Sequence, residues 1–504
     1  MKREPLIYDI SSPGRTGALL PKLDVPAEPL PDVDLLRDEL HLPEVSELQV
    51  MRHFVNLSQL NHAIDKGFYP LGSCTMKYNP KINEDMARLP GFAHLHPLTD
   101  ASSSQGALAL IYQLQNWLGE ISGFDAVSVS PAAGAQGEFA GILMIRKYHL
   151  DRGDAQRTKI LVPNSAHGTN PATVTMAGMS VIELPSDNRG NVDLAALRAL
   201  CAEHDNTIAG MMITLPSTLG LFDSQIVEII EAVHSVGGLM YMDGANMNAL
   251  MGIVKPGKLG FDVMHYNLHK TFSTPHGGGG PGCGAVGVND KLKPYLPGPV
   301  VDITELAATE DDAPLYGWVT PAKTIGRLKV FGGNFGMHVR AYTYIRIHGA
   351  QGIKDVSRYA VLNANYIRVN LRDHYKVPYD RHCAHEFVLE GHWADVEGIH
   401  ALDISKRLMD YGIHPPTNYF PLIVPEALLI EPTETETKQT LDEFIEVMKK
   451  IAEEAHTEPQ LLHDAPHITP VGRLDEVRAA KQLVLCCAPA LPSWDIDREP
   501  ALGD

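Results

Sequence analysis

The sequence predicts an α/β protein: a large domain on a mostly parallel sheet, a smaller C-terminal α+β domain and an extended N-terminal arm. Three observations predict it. The chain has 504 residues, too many for one ordinary core. From about residue 100, short apolar runs alternate with segments of helical apolar spacing, the pattern of a parallel sheet covered on both faces. The first ninety residues are instead rich in proline and carry little periodicity. The expected divisions are 1–95 for the arm, 96–345 for the large domain, 346–485 for the small domain and 486–504 for a tail.

In chain order, Leu20 to Pro43 reads as extended, Val45 to Leu60 as a helix, and the mixed-polarity run Arg52 to Lys81 as a segment that wraps a partner. Ala107, Leu110, Ile111, Leu114, Trp117, Leu118 and Ile121 fall at helical spacing. Ala126 to Val129 is then a strand and Gly137 to His149 a helix. Strands follow at Lys159–Val162, Val181–Leu184 and Gly210–Leu215. Ser224 to Val236 is an amphipathic helix stopped by Gly237 and Gly238, and Leu239–Met242 is the next strand. After Gly333 a long helix runs to Gly349, with a second expected from Asp355. A helix in the small domain is expected to open on a capping box, Thr440 with Glu443. The tail from Ala488, with Pro489, Pro492 and Pro500, is expected to be disordered.

Composition excludes several classes. Hydrophobic residues at 44% and charged residues at 20% describe a folded globular chain. The net charge of −19 argues against a general nucleic-acid binder. No apolar run is long enough to span a bilayer, and the start has neither a secretory nor a transit pattern, so a cytoplasmic protein without membrane contact is expected. The six cysteines are scattered with no CxxC, which reads as reduced thiols and no metal site.

Three segments carry chemistry. Pro131 to Glu138 is a small-residue turn between a strand and a helix, where backbone N–H groups and the helix N-terminus favour an anion. No Gly-Lys-Ser/Thr follows, so it is not a P-loop, and a plain tight turn is the alternative. The strand Leu239–Asp243 ends in a carboxylate, where ligands of a parallel sheet bind. Lys270 lies in Asn267–Ser273, just before the Gly-rich run from His276 to Gly282, where a lysine can lose solvation and act as a Schiff-base amine. A phosphate cradle, a strand-end aspartate and such a lysine together describe a pyridoxal phosphate (PLP) site.

Other matches are set aside. Gly282 to Gly287 fits GxGxxG but opens no helix, and His276–Gly279 lacks a partner GxSxG elbow. His167, after a strand, either stacks on a flat ring or bonds to backbone. His382, Cys383, His385 and Glu386 read as strand and turn sequence rather than metal ligands, and Cys74 as a buried thiol.

The chain resembles the glycine decarboxylase family, the PLP-containing P-protein of the glycine cleavage system. Within it the chain is most similar to the second (β) subunit of the two-subunit bacterial and archaeal form. The strings that carry the resemblance are Gly67–Lys81, Pro131–Glu138, Ser165–Pro171, Asn267–Gly282, Tyr411–Thr417, Glu431–Glu436 and Ala465–Pro470. The resemblance implies the PLP-dependent transferase fold type I, which is aspartate-aminotransferase-like. It implies that Lys270 anchors the cofactor aldehyde, Asp243 pairs with the pyridinium nitrogen and His167 stacks on the ring, with Lys270 and His167 catalytic. Ala133, Gly134, Ala135, Gln136 and Gly137 would hold the phosphate, and Ala245 and His269 complete the cofactor set.

The implied reaction is decarboxylation of glycine with release of CO2 and transfer of the aminomethyl group to the lipoyl arm of the H-protein. The implied partners are subunit 1 (α), in an α2β2 heterotetramer, and the lipoylated H-protein. Two other readings stand beside it: another fold-type-I enzyme, such as an amino-acid decarboxylase or a desulfurase, and a non-catalytic companion subunit. The Gly67–Lys81 string argues against the first and the setting of Lys270 against the second. The glycine carboxylate has three candidate partners, Arg52, Lys77 and Arg327. Gly332 departs from the family pattern, which has an aromatic residue there.

Overall fold

The computed structural model describes residues 4–36, 40, 42–275, 282–306 and 313–484. The expected tail and the glycines of 277–280 lie outside these residues. The described residues form two compact units, one drawn from Met1–Lys66 and Asp464–Asp504, the other Gly67–His463.

In the first unit the helix Glu47–Leu60 follows the expected span. Ser46 and Gln49 close a capping box, each side chain accepting from the other's backbone N–H. Glu44 N–H donates to Ser11 Oγ at 2.8 Å and Ser12 N–H to the Glu44 carbonyl at 2.9 Å, so the chain start is tied to the approach to this helix.

The second unit is built on a seven-stranded sheet. Its strands are β1 (Ala126–Ser128), β2 (Lys159–Pro163), β3 (Ser180–Leu184), β4 (Ile208–Thr214), β5 (Leu239–Gly244), β6 (Val263–Asn267) and β7 (Gly284–Val288). The spatial order is β1-β7-β6-β5-β4-β2-β3, and β7 alone runs against its neighbours. The expected mostly parallel sheet is therefore present. The GxGxxG match at Gly282–Gly287 leads into β7 and opens no helix.

Both faces of the sheet are buried, which is why its strands read as unbroken apolar runs. Along β5, Met240 and Met242 face one core with Leu114, Leu118 and Ile229. Leu239 and Tyr241 face the other, beneath Ala140, Met144 and Ile145 of the helix Gly134–Asp151. Alternation puts Asp243 on this second face.

After the sheet, β8 (Val300–Glu305) and β9 (Leu315–Val319) form an antiparallel pair. The helix Phe335–Leu371 breaks at Gly349, whose φ of 59° and ψ of −176° interrupt the helical geometry. The stop at Gly349 was legible, while the second half starts at once rather than from Asp355. A three-stranded antiparallel sheet follows, β10 (Phe387–Glu390), β11 (Thr417–Asn418) and β12 (Ala427–Ile430), in the order β10-β12-β11. It packs with Ile404, Leu408, Phe444, Met448 and Ile451 from the helices Ala401–Asp410 and Lys438–Thr457. The expected cap at Thr440 is corrected: Thr437 caps, its Oγ1 accepting from Thr440 N–H. The helix therefore starts three residues earlier than the Thr-x-x-Glu spacing indicates.

Gly67–Lys81 threads along this small sheet. Phe68 meets Phe444 edge-on at 5.1 Å, Leu71 bridges Ile430, and Gly72 N–H donates to the Leu429 carbonyl at 3.2 Å. At Gly332 a Cβ would fall 2.2 Å from the Trp318 ring, so Trp318 of β9 fills the space that a side chain at Gly332 would need.

Candidate active site

The loops that follow β2, β4, β5 and β6 converge on a cavity of about 260 Å³. It lies at the carboxyl ends of the parallel strands, where an open α/β sheet binds ligands. Its lining includes Ala133, Gly134, Ala135, His167, Asp243, Ala245, His269 and Lys270. Eight of the ten residues singled out in the sequence therefore share one cavity, although they span positions 133 to 270.

Gln136 and Gly137 are not among the lining residues. The Gln136 side chain turns back, accepting from Ala132 N–H at 2.6 Å and donating to the Leu328 carbonyl at 2.8 Å. Gly137 lies against the sheet, where a Cβ would come to 3.0 Å from His265 Cβ.

One wall is the start of the helix Gly134–Asp151. No side chain caps it, so its first N–H groups point toward the cavity without an internal partner. A Cβ on Gly134 would lie 2.4 Å from Asn267 Oδ1. Glycine there lets the helix end approach β6 closely.

Asp243, the penultimate residue of β5, is buried. Its Oδ2 accepts from the Asn170 amide at 3.0 Å and its Oδ1 from Ala245 N–H at 3.0 Å. His265, its register neighbour on β6, holds Nε2 at 3.4 Å from Oδ1 and shares a 2.6 Å hydrogen bond with the Tyr241 hydroxyl through Nδ1. Burial alone would raise the Asp243 pKa. His265, the Asn170 amide, the Ala245 N–H and Lys270 outweigh it and hold the carboxyl below the usual range. The aspartate is thus kept ionised in a buried setting and facing the cavity.

Lys270 sits three residues beyond β6. Its loop is fastened on both sides: Met247 N–H donates to Thr271 Oγ1 at 2.8 Å, and Ser273 Oγ donates to the Tyr78 carbonyl at 3.0 Å. Ser273 takes a positive φ of 55°, which such fastening sustains. His269 Nδ1 lies 3.1 Å from both the N–H and the carbonyl of Cys283. His167 is exposed, bonded through Nδ1 to the Thr169 hydroxyl at 2.8 Å and edge-on to Phe420 at 5.4 Å. Thr169 in turn donates to Glu138 Oε1 at 2.9 Å, which joins the His167 loop to the helix wall.

The opposite wall was missed in the sequence. His385 and Glu386, read there as strand and turn sequence, line the cavity just before β10. Glu386 accepts from Ser73 N–H at 2.7 Å. Glu431, at the end of β12, accepts from Thr75 N–H at 3.0 Å, from Thr75 Oγ1 at 2.8 Å and from Asn246 at 2.7 Å. Burial, together with Glu431, pushes Glu386 well above the usual carboxylate range, and burial also raises Glu431. Burial and the nearby Lys270 lower the His385 pKa to about 3, so its ring is neutral. No spacing rule links residues 73, 270 and 386. Only the threading of Gly67–Lys81 along the small sheet joins them.

The three basic residues considered for a carboxylate do not line the cavity. Lys77 is buried against Glu434 at 2.9 Å, with Asn248 and Tyr344 at 3.1 Å. Arg327 donates to the Val330 carbonyl at 3.3 Å. Arg52 belongs to the first unit. Cys74 is partly buried, and burial raises its thiol pKa.

Comparison with known proteins bears on the fold and the family. Residues 356–467 match the family described as glycine dehydrogenase, C-terminal domain. A protein of Halalkalibacterium halodurans named probable glycine dehydrogenase (decarboxylating) subunit 2 is 55% identical over 488 residues, which is 96% of this chain and 98% of that protein. A crystal structure of glycine decarboxylase (P-protein) of the glycine cleavage system, in inhibitor-bound form, superposes with a TM-score of 0.70 at 20% identity, covering 83% of this chain and 93% of that one. A structure of an Oryza sativa protein with PLP and tryptamine superposes at 0.60 with 14% identity, covering 84% and 91%. These structural likenesses establish the fold, fold type I of the PLP-dependent enzymes. The identity with its relatives, sustained over nearly the whole of both chains, means that the chain belongs to the glycine dehydrogenase (decarboxylating) subunit 2 family.

Proposed function

We propose that the cavity holds PLP and that the chain is the cofactor-bearing subunit of a glycine-decarboxylating enzyme. The observation that carries the reading is the convergence of three groups on one cavity: the buried, ionised Asp243, the lysine Lys270 and the uncapped helix start at Ala133–Ala135. The residues suit the group. An anionic aspartate favours a protonated pyridine nitrogen. Free N–H groups at a helix start favour a phosphate. A lysine amine reacts with an aldehyde.

PLP, when bound, supplies the electron sink for the pair left behind when the carboxylate departs. This chain's residues do the rest. Lys270 would hold the group through its aldehyde and would carry a proton at its Nζ. Asp243, oriented by Asn170 and His265, keeps the ring nitrogen protonated. His167 would lie against the ring and, with Ala245 and His269, complete the pocket, while the helix start at Ala133–Ala135 would hold the phosphate. Tyr241 and His265 hold Asp243 from behind, away from water.

The reading extends to partners. A relative named subunit 2 points to a companion chain, subunit 1, and the family resemblance points to an α2β2 assembly and to transfer of the aminomethyl group onto the lipoyl arm of the H-protein. Among the described residues no helix is long and apolar enough to cross a membrane, which accords with a cytoplasmic setting. The test is the visible absorption spectrum of the purified chain with PLP and subunit 1, before and after glycine. A band that shifts with glycine and is absent in Lys270→Ala is expected, together with loss of glycine-dependent CO2 exchange in that variant. Exchange retained by Lys270→Ala overturns the assignment of the anchor.

A further inference from the structure

The substrate's carboxylate needs a partner inside the cavity, and among the described residues no arginine lines it. The histidines there are mostly committed. His265 bonds Tyr241 through Nδ1 and keeps Nε2 3.4 Å from the Asp243 carboxylate, His167 serves Thr169, and His269 serves Cys283. His385 differs. It is 1% exposed, lines the cavity, and neither ring nitrogen has a hydrogen-bond partner. A buried polar group left this way is costly unless something else completes it.

Beside it lie two carboxyl groups. Ligand atoms of His385, Glu386 and Glu431 all fall within 4.8 Å of one another, and His385 Nε2 is 3.7 Å from Glu386 Oε1. Two carboxyl groups buried this closely retain a proton, because they cannot both ionise. The cluster therefore offers two neutral donors, an imidazole N–H and a carboxylic O–H.

Resting on the proposed function, we infer that His385 and Glu386, which shares a proton with Glu431, form the subsite for the glycine carboxylate, which they hold by neutral hydrogen bonds in place of a guanidinium. The arrangement suits a carboxylate that must leave. A guanidinium clamp stabilises the anion most in the ground state, whereas donors beside a residual negative charge favour departure as neutral CO2. The same three groups have the chemistry of a cation site, but Lys270 acts on all three and disfavours a divalent ion among them.

The test compares glycine with methylamine, which has the amine and no carboxylate. The holoenzyme with subunit 1 is titrated with each while its absorption spectrum is followed. His385→Ala is expected to weaken glycine about tenfold or more, the worth of a hydrogen bond to a charged group, and methylamine hardly at all. His385→Asn, which keeps an N–H, recovers part of the loss. In the unaltered enzyme the preference for glycine over methylamine falls as rising pH removes the shared proton. In Glu386→Gln, whose amide stays a neutral donor, that preference becomes flat with pH. The groups that face the pair are Lys270, Cys74, Cys383 and His385, and Ser73 N–H, Thr75 and Asn246 are its fixed donors. Variants that weaken both amines equally, or glycine binding that appears only with added Zn²⁺ or Mg²⁺ and vanishes with chelator, overturn the subsite alone. No spectral response to either amine in the unaltered enzyme overturns the cofactor reading, and the subsite with it.

Discussion

Asp243 and His265 are register neighbours on adjacent parallel strands, and their side chains meet with Oδ1 3.4 Å from Nε2. The pairing follows from strand geometry: both residues fall on the face that carries Tyr241, beneath the helix Gly134–Asp151. It turns a strand-end aspartate, ordinarily a turn residue, into a buried anion with a fixed direction. Asp243→Asn removes the charge and keeps the shape. It is expected to fold, to bind PLP more weakly and to lose activity by about 10²–10³, the scale of one lost preorganised electrostatic contact. Absorption titration with PLP and glycine-dependent CO2 exchange measure the two effects.

Position 134 leaves little room for a side chain. Gly134→Ala would bring a methyl group to 2.4 Å from Asn267 Oδ1, so the buried Asn267 amide or the helix end must shift. The expected cost is about 1–3 kcal/mol of stability, read from denaturant unfolding. A shift of the helix end also misaligns its N–H groups, so PLP should dissociate faster even where the fold survives.

Lys77 and Glu434 form an ion pair with little solvent access, shared with Asn248 and Tyr344. Lys77→Met strands a buried carboxylate and should cost about 3–5 kcal/mol. Adding Glu434→Gln removes the stranded charge, so the double variant should be the more stable of the two. A lower melting temperature for the double variant than for Lys77→Met contradicts this account.

His338 supplies a pH dependence. Its ring is buried, with Nε2 bonded to the Val129 carbonyl at 3.0 Å, and burial lowers its pKa from 6.5 to about 4. Between those values the unfolded chain binds a proton that the folded chain does not. Stability therefore falls as pH drops from 6.5 towards 4, by about 3 kcal/mol from this group. His338→Gln should lose that slope while keeping a donor for Val129, which unfolding measured from pH 4.5 to 7 would test.

Much of the fold was legible because both faces of the main sheet are buried. Runs such as Leu239–Met242 leave no other reading than an interior strand, and Asp243 stands out at the end of one. Lys270 was legible for the same reason, as a lone charge in small and polar sequence after β6. His385 and Glu386 were not. They precede a strand in the second sheet, and nothing local separates them from turn residues. Their role depends on Ser73 and Thr75, which adopt positive φ values of 63° and 54° as the chain passes the cavity. Long-range threading of that kind leaves no periodicity to read. The capping error at Thr440 has a smaller cause: Thr437 and Thr440 are both competent caps, and packing of Leu441 and Phe444 fixes the frame.

The threading of Gly67–Lys81 also sets a timetable for biosynthesis. Thr75 and Glu431 are 356 residues apart, and Lys77 and Glu434 are 357 apart. At about 5–20 residues per second, a ribosome needs roughly 20–70 s to deliver the second member of each pair. For that interval Ser73, Thr75 and Lys77 have only water to bond, and the nascent large sheet waits with one wall of its cavity missing. The chain cannot mature from front to back. Its first signature string is also among the last to find its place.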